Sequence, residues 1–92
     1  MELHDLASEV IKKSDKKTQL SIVMEELAEM IQAVSKFNRY GDDHAKKDLI
    51  VEMLDCLFMF EQVKIIAGIH DLEIYAREKE LVDKIKEVWK ID

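Results

Sequence analysis

The chain of 92 residues contains only two glycines and no proline. Turns draw heavily on these two residue types, because Gly accepts positive φ and Pro fixes φ at the corner of a turn. A sheet protein of this length needs a turn after every roughly 8–12 residues. A chain with so few turn residues, and with much Glu, Lys, Leu and Ile, favours long helices instead. The sequence therefore predicts an all-α fold and excludes all-β and doubly wound α/β folds.

Hydrophobic periodicity divides the chain into four predicted helices. Gly68 suits the position that follows a helix end, and Asp43 and Asp71 are predicted to cap the helices that follow them. The connections are short, which favours antiparallel neighbours. We therefore expect residues 1–92 to form a single domain, an antiparallel bundle of about four helices. The predicted helices are Glu2–Lys13, Thr18–Asn38, His44–Ala67 and Leu72–Lys90.

Apolar stripes on two of these helices are expected to face the core. The third helix is different, because from Met53 to Phe60 only Asp55 is polar. A helix that is apolar on every side is buried on every side, and a small chain can hardly cover it alone. We therefore expect a homodimer or homotetramer with the third helix near its centre; a central core helix is the alternative. The stripes are Leu20, Val23, Leu27, Ile31 and Val34 on the second helix, and Leu72, Tyr75, Leu81, Ile85, Val88 and Trp89 on the fourth.

Charge and cysteine content restrict the class of function. The 20 acidic residues outnumber the 14 basic ones and give a net charge of −6, which disfavours binding to polymeric nucleic acid. The single Cys56 cannot form an internal disulfide and fits a reducing compartment. The N-terminus lacks the pattern of a signal segment, and the densest apolar run is too short to span a membrane. We therefore expect a cytoplasmic protein that binds neither membranes nor polymeric nucleic acid.

Two groups of carboxylates stand out, one on each of the two central predicted helices. Glu25, Glu26 and Glu29 lie on the second helix, and Glu52 and Asp55 lie on the third. Residues three apart share one face of a helix, so on antiparallel neighbours these groups can converge. Close carboxylates in apolar surroundings repel each other and lose hydration. Divalent cations that prefer oxygen ligands compensate such charge, so the sequence predicts a Mg²⁺ site, with Mn²⁺ as a possible substitute. The alternative is a solvated acidic face, an interpretation that suits Glu25 best.

The order of these acids resembles the MazG-like all-α nucleoside triphosphate pyrophosphatases. The pattern of that superfamily is EExxE, a spacer and then ExxD, on two adjacent helices. Here EELAE occupies positions 25–29 and EMLD occupies positions 52–55. The resemblance extends from about Gln19 to Gly68 and is strongest to phage-type members. The first and fourth helices resemble the family only in general character.

The resemblance implies hydrolysis of a nucleoside triphosphate between its α and β phosphates, giving a monophosphate and pyrophosphate. Such an activity would remove unwanted nucleotides from the pool. Glu26, Glu29, Glu52 and Asp55 match the Mg²⁺ ligands of the family. Glu25 matches the auxiliary acid that supports the metal shell or the attacking water. These five residues are the predicted catalytic set.

Further residues are candidate contacts to the substrate. Lys36 lies two turns beyond Glu29 on the same face and is expected to reach a phosphate. Gln62 shares a stripe with Asp55, and Gln19 lies two turns before the acids on the second helix. Family members often carry basic residues on the last helix, where Arg77 is also available. The predicted substrate contacts are Gln19, Lys36, Gln62, Lys79 and Lys84.

Three other functions compete with this interpretation. A di-iron carboxylate bundle needs Glu-x-x-His on two helices, and the central helices lack that motif. A non-catalytic adaptor that oligomerises through the third helix explains its apolar character but leaves Glu52 and Asp55 unexplained. A degenerate family member would bind nucleotide without turnover.

Overall fold

A computed structural model describes residues 2–92 and contains four α-helices. The predicted all-α class is confirmed, and every helix bound lies within two residues of its predicted position. No strand occurs between residues 2 and 92, and no helix there has the length and apolar content needed to cross a membrane. The helices are α1 (Leu3–Lys12), α2 (Lys16–Tyr40), α3 (Asp43–Ala67) and α4 (Asp71–Trp89).

The helix ends explain why the four predicted segments are so well defined. Gly41 and Gly68 follow α2 and α3 with φ of +59° and +67°, a conformation that costs glycine little. The predicted caps Asp43 and Asp71 are each wrong by one residue. Asp42 caps α3, because its carboxylate accepts a hydrogen bond of 2.8 Å from the backbone N–H of Ala45. His70 is the cap residue of α4.

An antiparallel hairpin of α2 and α3 forms the body of the molecule. The two helices are in register at Glu26 and Cys56, since the Cys56 thiol donates a hydrogen bond of 3.9 Å to the Glu26 carbonyl. Val23, Ala33 and Met59 are buried in the protein interior. This register places the two acidic segments at the same height.

The short α1 packs against α3, where Ala7 is fully buried. His4 Nδ1 lies 3.8 Å from Glu61 Oε2, and the same carboxylate forms an ion pair with Lys64. The hydrogen bond to Glu61 raises the pKa of Lys64. Because α3 contacts both α1 and α2, it is the central helix of these three.

The position of α4 differs from the prediction. It does not pack against another helix as α2 and α1 pack against α3. None of its residues is buried. An ion pair of 3.8 Å between Lys64 and Asp71 links its first turn to α3. The expected inward orientation within one chain is therefore wrong: Leu72 is 82% exposed and Trp89 is 74% exposed. The remaining residues of that predicted stripe are also exposed, namely Tyr75, Leu81, Ile85 and Val88.

The apolar stripe predicted for the interior side of α2 is also turned outward. Of its five residues only Val23 is buried, whereas Leu27 is half-buried and the other three are exposed. The reason is that α2 carries a second apolar row beside its acids, which includes the buried Ala33 and the half-buried Met30. This second row packs toward α3. The acids next to it, rather than the predicted stripe, therefore lie where α2 and α3 meet.

Candidate metal centre

The antiparallel register brings three of the predicted ligands together. One carboxylate oxygen from each of Glu26, Glu52 and Asp55 lies within 4.8 Å of the other two. Glu26 comes from α2, whereas Glu52 and Asp55 are three residues apart on the facing side of α3. Glu29, the fourth predicted ligand, lies one turn beyond Glu26 at the edge of this cluster. We call these four residues the acid cluster.

Burial leaves oxygens of the acid cluster without partners. Oε2 of Glu26 and Oε2 of Glu52 are both shielded from solvent and accept no hydrogen bond. An acceptor that is shielded from water and has no partner raises the free energy of the native state, and a charged one raises it more. No ion pair formed within residues 2–92 involves any member of the cluster. The cluster therefore carries negative charge that the described side chains do not neutralise.

The pKa values of two members reflect this environment. Loss of hydration is the largest cause that raises the pKa of Glu26, followed by the charges of Glu29 and Asp55. The pKa of Glu52 is also raised, first by loss of hydration and then by Glu29 and Asp55. A cation bound close to a carboxyl group would instead lower the pKa of that group. Protons and cations therefore compete for the same oxygens.

A groove of about 320 Å³ opens beside the acid cluster. It contains Glu29 and Glu52 together with the predicted phosphate contact Lys36, so a cationic amine shares the groove with the acids. Its volume lies at the lower end of the range of ligand pockets, roughly 300–1,000 Å³. A larger concavity of about 1040 Å³ lies along α4 and contains no member of the cluster, so we do not assign the chemistry to it. The groove is lined by Glu29, Gln32, Ala33, Lys36, Asp48, Val51 and Glu52.

Two of these lining residues, Asp48 and Gln32, were not among the predicted contacts. The charge of Asp48 contributes to the raised pKa of Glu52, and its carboxylate lies 3.6 Å from His44 Nε2. Helical spacing was the signal that could have found both. Asp48 precedes Glu52 by one turn, and Gln32 precedes Lys36 by one turn.

Other predicted contacts lie outside the groove. Gln62 is 1% exposed, and its amide nitrogen lies 3.9 Å from the Met59 sulfur while its Oε1 has no partner. Gln19 is also buried, and neither glutamine lines the groove. Lys79 and Lys84 are on the exposed α4, which the single chain does not pack against the acids. Arg77 is paired with Glu80 at 2.8 Å on the same helix.

Glu25 is exposed and lies one residue before Glu26 on α2. Its charge is the smallest of the causes that raise the pKa of Glu26. It is therefore close enough to influence the acid cluster electrostatically, while its own carboxylate remains in water. This position is compatible with the auxiliary role that the sequence suggested, and with a solvated acid.

The raised pKa values predict how the stability of the metal-free protein depends on pH. Because Glu26 and Glu52 hold protons more tightly in the native state than the ordinary value of 4.5, the native state binds more protons than the unfolded chain just above that pH. The free energy of unfolding therefore falls as the pH rises from 4.5 through the raised values. We expect Glu52→Gln to flatten this fall in urea titrations with a chelator. The exposed Glu9→Gln should leave the fall unchanged; parallel profiles for Glu52→Gln and the original protein would contradict the prediction.

The chemistry available here is that of a hard cation and an anionic ligand. Carboxylate oxygens suit Mg²⁺ or Mn²⁺, and the amine of Lys36 suits a phosphate oxygen. Comparison of the chain with models of protein families, with curated proteins and with solved structures finds no match.

Proposed function

We propose that this protein is a Mg²⁺-dependent nucleoside triphosphate pyrophosphohydrolase that converts an NTP or dNTP to the monophosphate and pyrophosphate. The observation that carries the proposal is the acid cluster, in which Glu26, Glu52 and Asp55 converge and two oxygens are buried without partners. The motifs EELAE and EMLD support the choice of reaction, because they resemble those of the MazG-like enzymes. We further propose that the protein acts in the cytoplasm in nucleotide-pool house-cleaning.

The donor set fits a hard divalent cation. Its oxygens come from rigid helices, they lie within 4.8 Å of one another, and no basic side chain of residues 2–92 pairs with them. Glu26, Glu52 and Asp55 would hold the ion, with Glu29 as the fourth ligand at the groove. When bound, Mg²⁺ offsets the negative charge of a triphosphate and polarises its phosphoryl group.

Two residues of the groove would bind the substrate, and one acid outside the groove would accept the proton. Lys36 is the groove's basic residue, and its charge binds the phosphate oxygens that the acids would otherwise repel. Glu25 is exposed beside the cluster, where its carboxylate can accept the proton of an attacking water. Gln32 offers an amide donor on the same wall as Lys36. The proposed site thus combines a lysine of the groove that binds phosphate with Glu25 outside the groove, which accepts the proton.

A product analysis tests the proposed function directly. The protein is incubated with Mg²⁺ or Mn²⁺ and each of the common and modified ribo- and deoxyribonucleoside triphosphates, and pyrophosphate and monophosphate are quantified. We expect equal amounts of the two products from at least one substrate. Release of orthophosphate instead would indicate a different phosphohydrolase. No turnover of any triphosphate would favour the adaptor or a nucleotide-binding protein without catalysis.

Lys36→Met provides a prediction about substrate binding. Because a hydrogen bond to a charged group contributes about 1.5–3 kcal/mol, its loss should raise the KM for the triphosphate about tenfold or more. Steady-state kinetics at saturating Mg²⁺ measure this change. Lys47→Met is the matched control, since Lys47 is exposed on α3 and does not line the groove. An unchanged KM for Lys36→Met, together with a raised KM for Lys79→Met, would transfer the phosphate contact to α4.

A further inference from the structure

The groove beside the acid cluster ends in a small group of charged side chains near the loop between α2 and α3. Since Glu26 lies beside Cys56 in the antiparallel pair, Lys36 lies at the height of position 46, midway between His44 and Asp48. These two residues are four apart and share one face of α3. Asp48 lines the groove, so His44 lies on the groove face, one turn closer to the loop. We call Lys36, His44 and Asp48 the loop-end group.

The net charge of the loop-end group depends on its imidazole. The amine of Lys36 and the carboxylate of Asp48 both line the groove, and their opposite charges leave little net attraction for an anion. His44 Nε2 lies 3.6 Å from Asp48 Oδ2, and imidazole is the side chain that ordinarily changes its charge between pH 5 and 8. When His44 is protonated, two cations accompany one carboxylate. The loop end of the groove then attracts an anion.

The other charged and titratable groups near His44 are placed differently. The Asp42 carboxylate accepts a hydrogen bond from the backbone at the start of α3, and the Arg39 guanidinium lies 5.8 Å from the centre of the Tyr40 ring. The side chain of His44 is 87% exposed, so its imidazole can turn toward a ligand without leaving a packed position. The neighbouring groups that do not line the groove are Arg39, Tyr40, Asp42, Asp43, Lys46 and Lys47.

The distance of the loop-end group from the acid cluster suits the end of a polyphosphate chain. Asp48 lies one turn from Glu52, about 6 Å along α3, and its charge contributes to the raised pKa of Glu52. Lys36 lies two turns from Glu29, about 10 Å along α2. In the proposed reaction the α phosphate is next to the metal and Lys36 binds phosphate, so the β and γ phosphates extend toward the loop. A diphosphate bound in the same way has no γ phosphate at that end.

We propose that Lys36 and protonated His44 bind the terminal phosphate of the substrate, with Asp48 positioning the imidazole, and that this contact selects a triphosphate over a diphosphate. This role of His44 rests on the proposed function and adds the length of the phosphate chain to its specificity. The selection is strongest at low pH, where imidazole carries its charge, and weakens toward pH 8.

Competition between the triphosphate and the diphosphate of one nucleoside provides the first test. Selectivity is the ratio of the Ki of the diphosphate to the KM of the triphosphate, measured with Mg²⁺ at pH 6 and pH 8. His44→Gln should lower this ratio about tenfold or more at pH 6, because it removes a charged contact to the terminal phosphate alone. His44→Lys should keep the ratio high at both pH values. Phosphate itself titrates near pH 6, but this affects all variants alike.

His4→Gln is the matched control for the imidazole. His4 also faces a carboxylate, since its Nδ1 lies 3.8 Å from Glu61 Oε2, but it does not line the groove. This variant should keep the selectivity of the original protein at both pH values. If His44→Gln also kept it while the triphosphate was still cleaved, the contact would be overturned and the proposed function would stand.

Titration calorimetry with magnesium pyrophosphate tests the same contact without turnover. Pyrophosphate corresponds to the β and γ phosphates, so His44→Gln should weaken its binding about tenfold at pH 6, and His44→Lys should bind it equally well at pH 6 and pH 8. If binding depends on His44 in this way but no triphosphate is cleaved, the phosphate contact stands and the proposed hydrolysis fails. Equal affinity of the original protein and His44→Gln, or no binding of pyrophosphate to either, overturns the proposal. Circular dichroism checks that the variants are helical.

Discussion

Glu52→Gln should lower the rate of pyrophosphate release by at least about a hundredfold, and Glu29→Gln should do the same. Both substitutions keep the shape of the side chain and remove one negative charge from the acid cluster. Loss of a single group that stabilises developing charge in an enzyme site typically reduces the rate by about 10²–10³. Single-turnover rates, taken at saturating Mg²⁺ with the enzyme in excess over the substrate, measure the effect without a contribution from product release.

Two further variants make this result specific. Glu9→Gln, on the exposed side of α1, should keep the full rate because it removes a carboxylate of the same type that does not line the groove. Glu25→Gln should lose rate but still bind Mg²⁺, since its carboxylate lies outside the converging set of Glu26, Glu52 and Asp55. Turnover that survives the loss of Glu52 would contradict the site assignment whatever the substrate is.

Millimolar Mg²⁺ should raise the Tm of the metal-free protein by about 10 °C or more. A ligand present at 100 times its Kd adds about 2.7 kcal/mol to the free energy of unfolding, and 1 kcal/mol shifts the Tm of a domain of this size by about 4–8 °C. Asp55→Asn should abolish most of this shift, because it removes one of the three converging carboxylates. Without metal the same variant should be at least as stable as the original protein, since one source of repulsion is gone. Differential scanning calorimetry in chelator and in Mg²⁺ measures both effects.

The control for the metal effect is a monovalent salt at the same ionic strength, which screens repulsion without occupying a site. Glu9→Gln should retain the whole shift produced by Mg²⁺. If millimolar Mg²⁺ left the Tm of both the original protein and Asp55→Asn unchanged, the acid cluster would not be a metal site.

The sequence was sufficient to predict the helices and the acid cluster because both depend on local information. Gly41 and Gly68 define two helix ends through their backbone conformation, and the absence of proline leaves the segments between them continuous. Glu52 and Asp55 share a helix face through their spacing of three, and a short loop makes α2 and α3 antiparallel. The spacing on α3 and the antiparallel arrangement together bring Glu26 close to Glu52 and Asp55.

The orientation of α2 and α4 depends on information that periodicity does not contain. An apolar stripe predicts that a surface is covered, but it does not say by which helix or by which chain. On α2 two apolar rows compete, one through Leu27 and Ile31 and the other through Ala33, and the second row packs toward α3. The stripe of α4 is as regular as the others, yet all of its residues remain exposed within one chain. Lys79 and Lys84 on that helix do not line the groove for the same reason.

The rate at which the buried thiol of Cys56 is alkylated can measure how often α2 and α3 separate. Burial raises the pKa of this thiol, and the charges of Glu52, Glu26 and Asp55 raise it further, so little reactive thiolate exists at neutral pH. Its hydrogen bond to the Glu26 carbonyl connects α3 to α2. Because the thiol is buried between these helices, an alkylating reagent can reach it only when they separate. The labelling rate of this cysteine therefore depends on the transient separation of the two helices that carry the acids. Because it is the single native cysteine of the chain, no probe has to be introduced.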